Sequence, residues 1–217
     1  MNIRTGKNLL LAAVFVLISS IAGLAQCGVP NQITCQPWDG TGNIFASQND
    51  PVTYGNFATT YDEFTLTQSY DVESFHFYGG YFNPGPNPYI SNIDLTFYDN
   101  GDGGPGAAIA TGNFTDFNET LVSGDVYSYD LYFYSFDMAP GTYWASVVGT
   151  VDFPPQWGWA TGIGPNDGYQ CFFGSCAGTG TSFAFALDGT PVPEPGTLIL
   201  LGTGLLGLAG TLRRKLF

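Results

Sequence analysis

Apolar and polar residues alternate with a period of two across residues 54–187, a rhythm that predicts strands rather than helices. Phe64 and Leu66 begin it. Val72, Phe75 and Phe77 mark a second strand whose phase slips near Ser74. Ile93, Leu95 and Phe97 share one face of a third, and Asp94, Thr96 and Tyr98 share the other. Tyr127, Tyr129, Leu131 and Phe133 point one way in the next. A further strand follows the turn pair Pro140-Gly141. Phe183, Phe185 and Leu187 form the last, with Ala184 and Ala186 opposite. Between them lie Asn83-Pro84-Gly85-Pro86, residues 99–106 and residues 162–168, all turn chemistry. No stretch between the ends carries a sustained 3.6-residue period with caps. Eight or so short strands joined by Gly and Pro turns predict an all-β domain, an antiparallel β-sandwich of jelly-roll-like form.

The two ends break this rhythm. Arg4 and Lys7 precede an apolar run that closes on Gly23-Leu24-Ala25, the design of a signal peptide over residues 1–25. Gln26 stands where a lipoprotein signal needs a small residue, so lipidation at Cys27 is set aside. At the other end, Val192-Pro193-Glu194-Pro195 is followed by a Leu- and Gly-rich run over residues 196–212, then by Arg213, Arg214 and Lys215. That run predicts a transmembrane helix at the short limit of what spans a bilayer. The basic trio holds the cytoplasmic side and leaves the upstream chain outside. Pro193 and Pro195 keep Glu194 extended and open to an enzyme. The chain thus divides into a signal peptide (1–25), an ectodomain (26–190) and a C-terminal sorting segment (191–217).

The 191–217 segment resembles the PEP-CTERM tail read by bacterial exosortases. The resemblance implies an exosortase as partner, cutting near Val192, Pro193, Glu194 and Pro195, with the inner membrane as the transit site. It also implies a Gram-negative bacterium that makes extracellular polysaccharide, and a product held at the cell surface or in the extracellular, biofilm-type matrix. Residues 97–106 and Pro140-Gly141-Thr142-Tyr143-Trp144 resemble segments found in the extracellular regions of proteins with the same tail. That second likeness speaks to architecture and not to chemistry.

Charge narrows the function further. All five Lys and Arg residues lie at the two ends, and all 18 Asp and Glu residues fall within residues 26–195. Such a body repels nucleic acid and cannot clamp phosphate with cationic side chains. Its four cysteines, in an exported chain, predict disulfides. Of three pairings, Cys27–Cys35 and Cys171–Cys176 are favoured because each closes a short loop. Neither spacing suits zinc.

Candidate chemistry is sparse. Asp99-Asn100-Gly101-Asp102 fails the calcium-loop spacing, which leaves Asp94, Asp99 and Asp102 with backbone carbonyls as a looser Ca²⁺ site, against a plain turn. No other cofactor is indicated. Trp157 and Trp159 project from one side of an extended segment, where they either stack on sugar rings of an extracellular polysaccharide or fill the core. His76, flanked by Phe75 and Phe77, reads as an exposed strand residue without a catalytic partner. No nucleophile elbow, metalloprotease motif or phosphate loop is present, so the chain reads as non-enzymatic.

Overall fold

The alternation is realised, among the described residues, as fifteen strands. These are β1 (Gln32–Gln36), β2 (Ile44–Ala46), β3 (Gln48–Asp50), β4 (Gly55–Leu66), β5 (Tyr70–Phe82), β6 (Asn92–Asn100), β7 (Pro105–Phe114) and β8 (Asn118–Ser123). They continue as β9 (Val126–Met138), β10 (Gly141–Thr150), β11 (Gln156–Gly162), β12 (Tyr169–Phe172), β13 (Ser175–Gly178), β14 (Ser182–Phe183) and β15 (Phe185–Pro191). The computed structural model describes residues 27–83, 85, 89–192, 196 and 202–205. The signal peptide expected over residues 1–25 lies outside them, as do Pro193, Glu194, Pro195, Arg213, Arg214 and Lys215. Of the helix expected over 196–212, residues 202–205 are helical. No helix among the described residues is long and apolar enough to cross a membrane.

Eight strands form one sheet and seven the other. In the first, β9 lies along one edge of β5, with β8 beyond it. The other edge of β5 is shared by β15, backed by β1, and by β11, backed by β2. In the second, β12 and β13 flank one edge of β4, and β10, β6 and β7 follow on the other. Pairing is antiparallel except where β3 runs parallel to the end of β10, so this sheet is mixed rather than purely antiparallel. The chain crosses between the sheets at β2 to β3, β4 to β5, β5 to β6, β7 to β8, β9 to β10, β10 to β11, β11 to β12 and β13 to β14.

One apolar cluster holds the sheets face to face. Phe75 stacks on Phe185 within the first sheet at 5.3 Å and meets Phe97 of the second edge-on at 5.9 Å. Ile93, Leu95, Phe97, Tyr129, Leu131, Phe183, Phe185 and Leu187 are all buried, as their period-two positions require. The phase slip expected near Ser74 is a β-bulge: Val72 pairs with Phe136 and Ser74 with Tyr132, so Glu73 alone faces three residues of β9. The opposite face of the first sheet is covered too, where Trp38 stacks on Tyr78 at 5.6 Å. Ala160, Ala184 and Val126 complete that smaller cluster. This explains why Ala184 is buried although it alternates away from Phe183 and Phe185.

Candidate functional site

The last strand positions the sorting segment. β15 pairs with β5 down to Pro191 opposite Tyr70, and the Val192 N–H donates to the Ser69 carbonyl at 3.0 Å. The main core takes its last residue from Leu187. Among the described residues, the ladder thus runs to Val192, five residues past the last member of the main core.

Both cysteine pairs are closed, Cys27 to Cys35 and Cys171 to Cys176, the second bridging directly opposed residues of the β12–β13 hairpin. The tryptophans require a correction. Trp157 and Trp159 are 0 % exposed. Trp157 donates its indole N–H to the Tyr129 hydroxyl at 3.0 Å, and Trp159 donates to the Ala184 carbonyl at 2.9 Å. A methyl on Gly149 would stand 2.6 Å from the Trp157 ring, so the indole is bedded on the opposing sheet. No sugar reaches either ring, because both point between the sheets.

The carboxylates proposed for Ca²⁺ do not converge either. Asp94 and Asp99 sit five residues apart on β6, about 16 Å along a strand and on opposite faces. Asp94 accepts a hydrogen bond from Asn113 at 2.6 Å. Asp102 lies in the β6–β7 turn, closed by Gly101 N–H to the Gly104 carbonyl at 2.9 Å. Among the described residues no three His, Cys, Asp or Glu side chains group as a metal site. The two segments likened to other extracellular regions do meet: Trp144 pairs with Tyr98 across β10 and β6, and its indole N–H reaches Asn100 at 2.9 Å.

His76 is far from solitary. It lies on the outer face of β5, opposite Asp130 of β9 and diagonal to Asp188 of β15. Its Nδ1 is 2.6 Å from Asp130 Oδ1, and its Nε2 is 3.0 Å from Asp188 Oδ2 and 3.1 Å from Ser74 Oγ. Tyr132 meets the ring edge-on at 5.7 Å. Burial alone would lower the imidazole pKa, but Asp130 and then Asp188 outweigh it, and the net shift is upward. Ser74, His76 and Asp130 follow the order of a nucleophile, base and orienting acid. Yet Asp188 faces the same Nε2 that would have to accept the serine proton, so both ring nitrogens are drawn into donating. Linear sequence could not show this group, since its four members come from three strands.

Two buried polar networks stiffen the sandwich. Glu119 Oε1 accepts from the hydroxyls of Tyr81 at 2.8 Å and Tyr129 at 2.7 Å. Burial, and the carboxylate they share, hold both phenols above their ordinary pKa. Asp62 accepts the Phe183 backbone N–H and, at 3.4 Å, the Gln36 amide. Desolvation and then nearby Asp167 hold its carboxyl well above the usual range, although the Phe183 bond opposes this.

An apolar cleft lies between β7 and β9. It exists because β8 covers β9 only up to Asp130, while β9 runs on to Met138. Phe97 and Leu95 lie at its floor, and Phe114, Phe133 and Phe136 wall it. An adjoining cavity of about 470 Å³ is lined by Asn113, Phe114, Tyr132, Phe133 and Tyr134. The bulge opposite Glu73 turns Tyr134 wholly outward, 99 % exposed, with Tyr132 at 68 %.

Residues 191–215, beginning at the final residue of β15, match the family described as the PEP-CTERM protein-sorting motif. The chain carries a PEP-CTERM sorting motif. This marks an exported protein handled by an exosortase, and the PEP-CTERM segment follows the sandwich with no linker between them. The matched span covers the sorting residues read from the sequence, including Val192, Pro193, Glu194 and Pro195. No curated protein matches the chain.

Proposed function

We propose that the protein is a non-enzymatic surface or matrix component, exported through the inner membrane of a Gram-negative bacterium. On this reading an exosortase removes the helix and basic tail near Val192–Pro195, and the sandwich passes to the cell surface or extracellular matrix as a structural, biofilm-associated unit. One observation carries it: the sorting match starts at residue 191, where β15 ends, and among the described residues every member of the main core lies upstream. Cleavage there removes no described core side chain. The crossings between sheets support a jelly-roll-like description. Mass spectrometry of the protein from its own cells tests the reading, with loss of residues 196–217 expected. An intact C-terminus in the surface fraction refutes it.

A second reading, a module that binds extracellular polysaccharide, is favoured by the β7–β9 cleft and not by the tryptophans. Tyr132 and Tyr134 offer exposed ring faces beside the Asn113–Asp94 pair, which can serve sugar hydroxyls. With no Lys or Arg in residues 26–195, an anionic glycan is disfavoured. Tyr132→Ala and Tyr134→Ala are expected to abolish binding on a glycan array without lowering stability. Binding that survives both changes removes this site.

A further inference from the structure

We infer that Ser74, His76 and Asp188 form a binding site for one borderline divalent transition ion of the Zn²⁺ class, with Asp130 as its outer support. The three donor atoms make a triangle with sides of 3.0 Å (Nε2 to Asp188 Oδ2), 3.1 Å (Nε2 to Ser74 Oγ) and 3.4 Å (Oγ to Oδ2). An ion about 2.1 Å from each donor needs them about 3.0 Å apart in octahedral and about 3.4 Å apart in tetrahedral geometry, so the triangle serves as a coordination face without moving the backbone. Water fills the remaining positions. Hydrogen bonding accounts for the same three sides. What it leaves unexplained is Asp188 Oδ1, which is buried and has no hydrogen-bond partner. A cation held by this carboxylate offsets the charge of that orphaned oxygen.

The surroundings suit such an ion. Asp130 accepts from Nδ1 at 2.6 Å, the support that fixes the tautomer of a metal-bound histidine and raises its basicity. The donors stand on adjacent strands of one sheet, Asp188 directly opposite Ser74. An imidazole ligand favours Zn²⁺ over Ca²⁺ or Mg²⁺, which take oxygen. The body has no Lys or Arg to repel a cation, and its many carboxylates concentrate one. The ion needs the Nε2 lone pair, so binding competes with protonation of the imidazole and weakens as pH falls. Only one carboxylate, a neutral imidazole and a hydroxyl contribute, so the site is a weak, exchangeable one.

The chain has a single histidine, so its imidazole signals in a proton–carbon NMR spectrum belong to His76 without assignment. The experiment uses the full-length chain in detergent, purified by a histidine-free tag, freed of metal by a chelator and titrated with Zn²⁺ alone. The expected result is a shift of the His76 signals that saturates at one ion per chain. Ca²⁺ should leave them in place. Asp188→Asn should abolish the shift, and Asp130→Asn should weaken affinity by about 10- to 100-fold. Ser74→Ala, which leaves both ion pairs intact, should weaken it less. Signals that stay fixed at millimolar Zn²⁺ overturn the site and leave a plain imidazolium clamp. A shift that persists undiminished in Asp188→Asn overturns it equally, as an adventitious ion on an acidic surface.

Discussion

Replacing Asp62 by Asn separates the cost of burying a carboxylate from the benefit of the hydrogen bonds it makes. Asp62 is fully buried, and its oxygens accept the Phe183 N–H and the Gln36 amide, tying β4 to the start of the last strand pair. Asn keeps an acceptor for Phe183 and gives up at most the long bond to Gln36, about 1 kcal/mol. The pH dependence should change far more. Desolvation and Asp167 raise the folded carboxyl well above its model-compound value of 3.8. Between that value and the folded pKa, the native state therefore holds a proton that the unfolded chain has lost. In that window wild-type stability falls as pH rises, by up to about 1.4 kcal/mol per pH unit, and the stability is fully present only below the unfolded value. The variant lacks this slope, so it should overtake wild type as pH climbs from about 4 towards neutrality. Urea denaturation of residues 27–192 with the disulfides intact, repeated across that range, measures the difference. Parallel profiles for the two proteins would refute the reasoning and show that Asp62 stays ionised in the fold.

Three further outcomes follow from the packing. Replacing both Cys171 and Cys176 by Ala opens a loop of sequence separation 5 and should cost about 2 kcal/mol, read as a lower urea midpoint that reductant reproduces in wild type. Gly149→Ala places a methyl against the Trp157 indole and should cost about 1–3 kcal/mol, with altered near-ultraviolet circular dichroism from that ring. Glu119→Leu strips the acceptor shared by the Tyr81 and Tyr129 hydroxyls and should cost about 2–3 kcal/mol, whereas Glu119→Gln should stay within about 1 kcal/mol of wild type. Equal losses for the two Glu119 variants would exclude an acceptor role.

Much of the candidate chemistry was invisible in the linear chain, for reasons particular to each group. The inward faces of β6 and β9 were legible because Ile93, Leu95, Phe97, Tyr129 and Leu131 keep a strict period of two, which geometry turns into one buried side. Trp157 and Trp159 share a face by the same rule, but alternation does not say which face meets the opposing sheet. His76 gave no signal because its partners lie 54 and 112 residues away and become neighbours only through the pairing of β9 and β15 with β5. The cleft was hidden for another reason. It depends on β8 stopping short of the end of β9, and on three residues bulging opposite Glu73.

What the amino-acid order determined alone is whatever depends on near neighbours: strand periodicity, the short disulfide loops, the anionic body, and the sorting motif at residues 191–215. Those features need no distant partner, because a short stretch of chain carries all the information for each. Tertiary structure alone decided which aromatic rings face solvent, which carboxylates meet His76, and that the fold closes at the residue where sorting begins. Those outcomes depend on strand register across long separations, and a shift of one residue would turn every side chain of a strand to its other face.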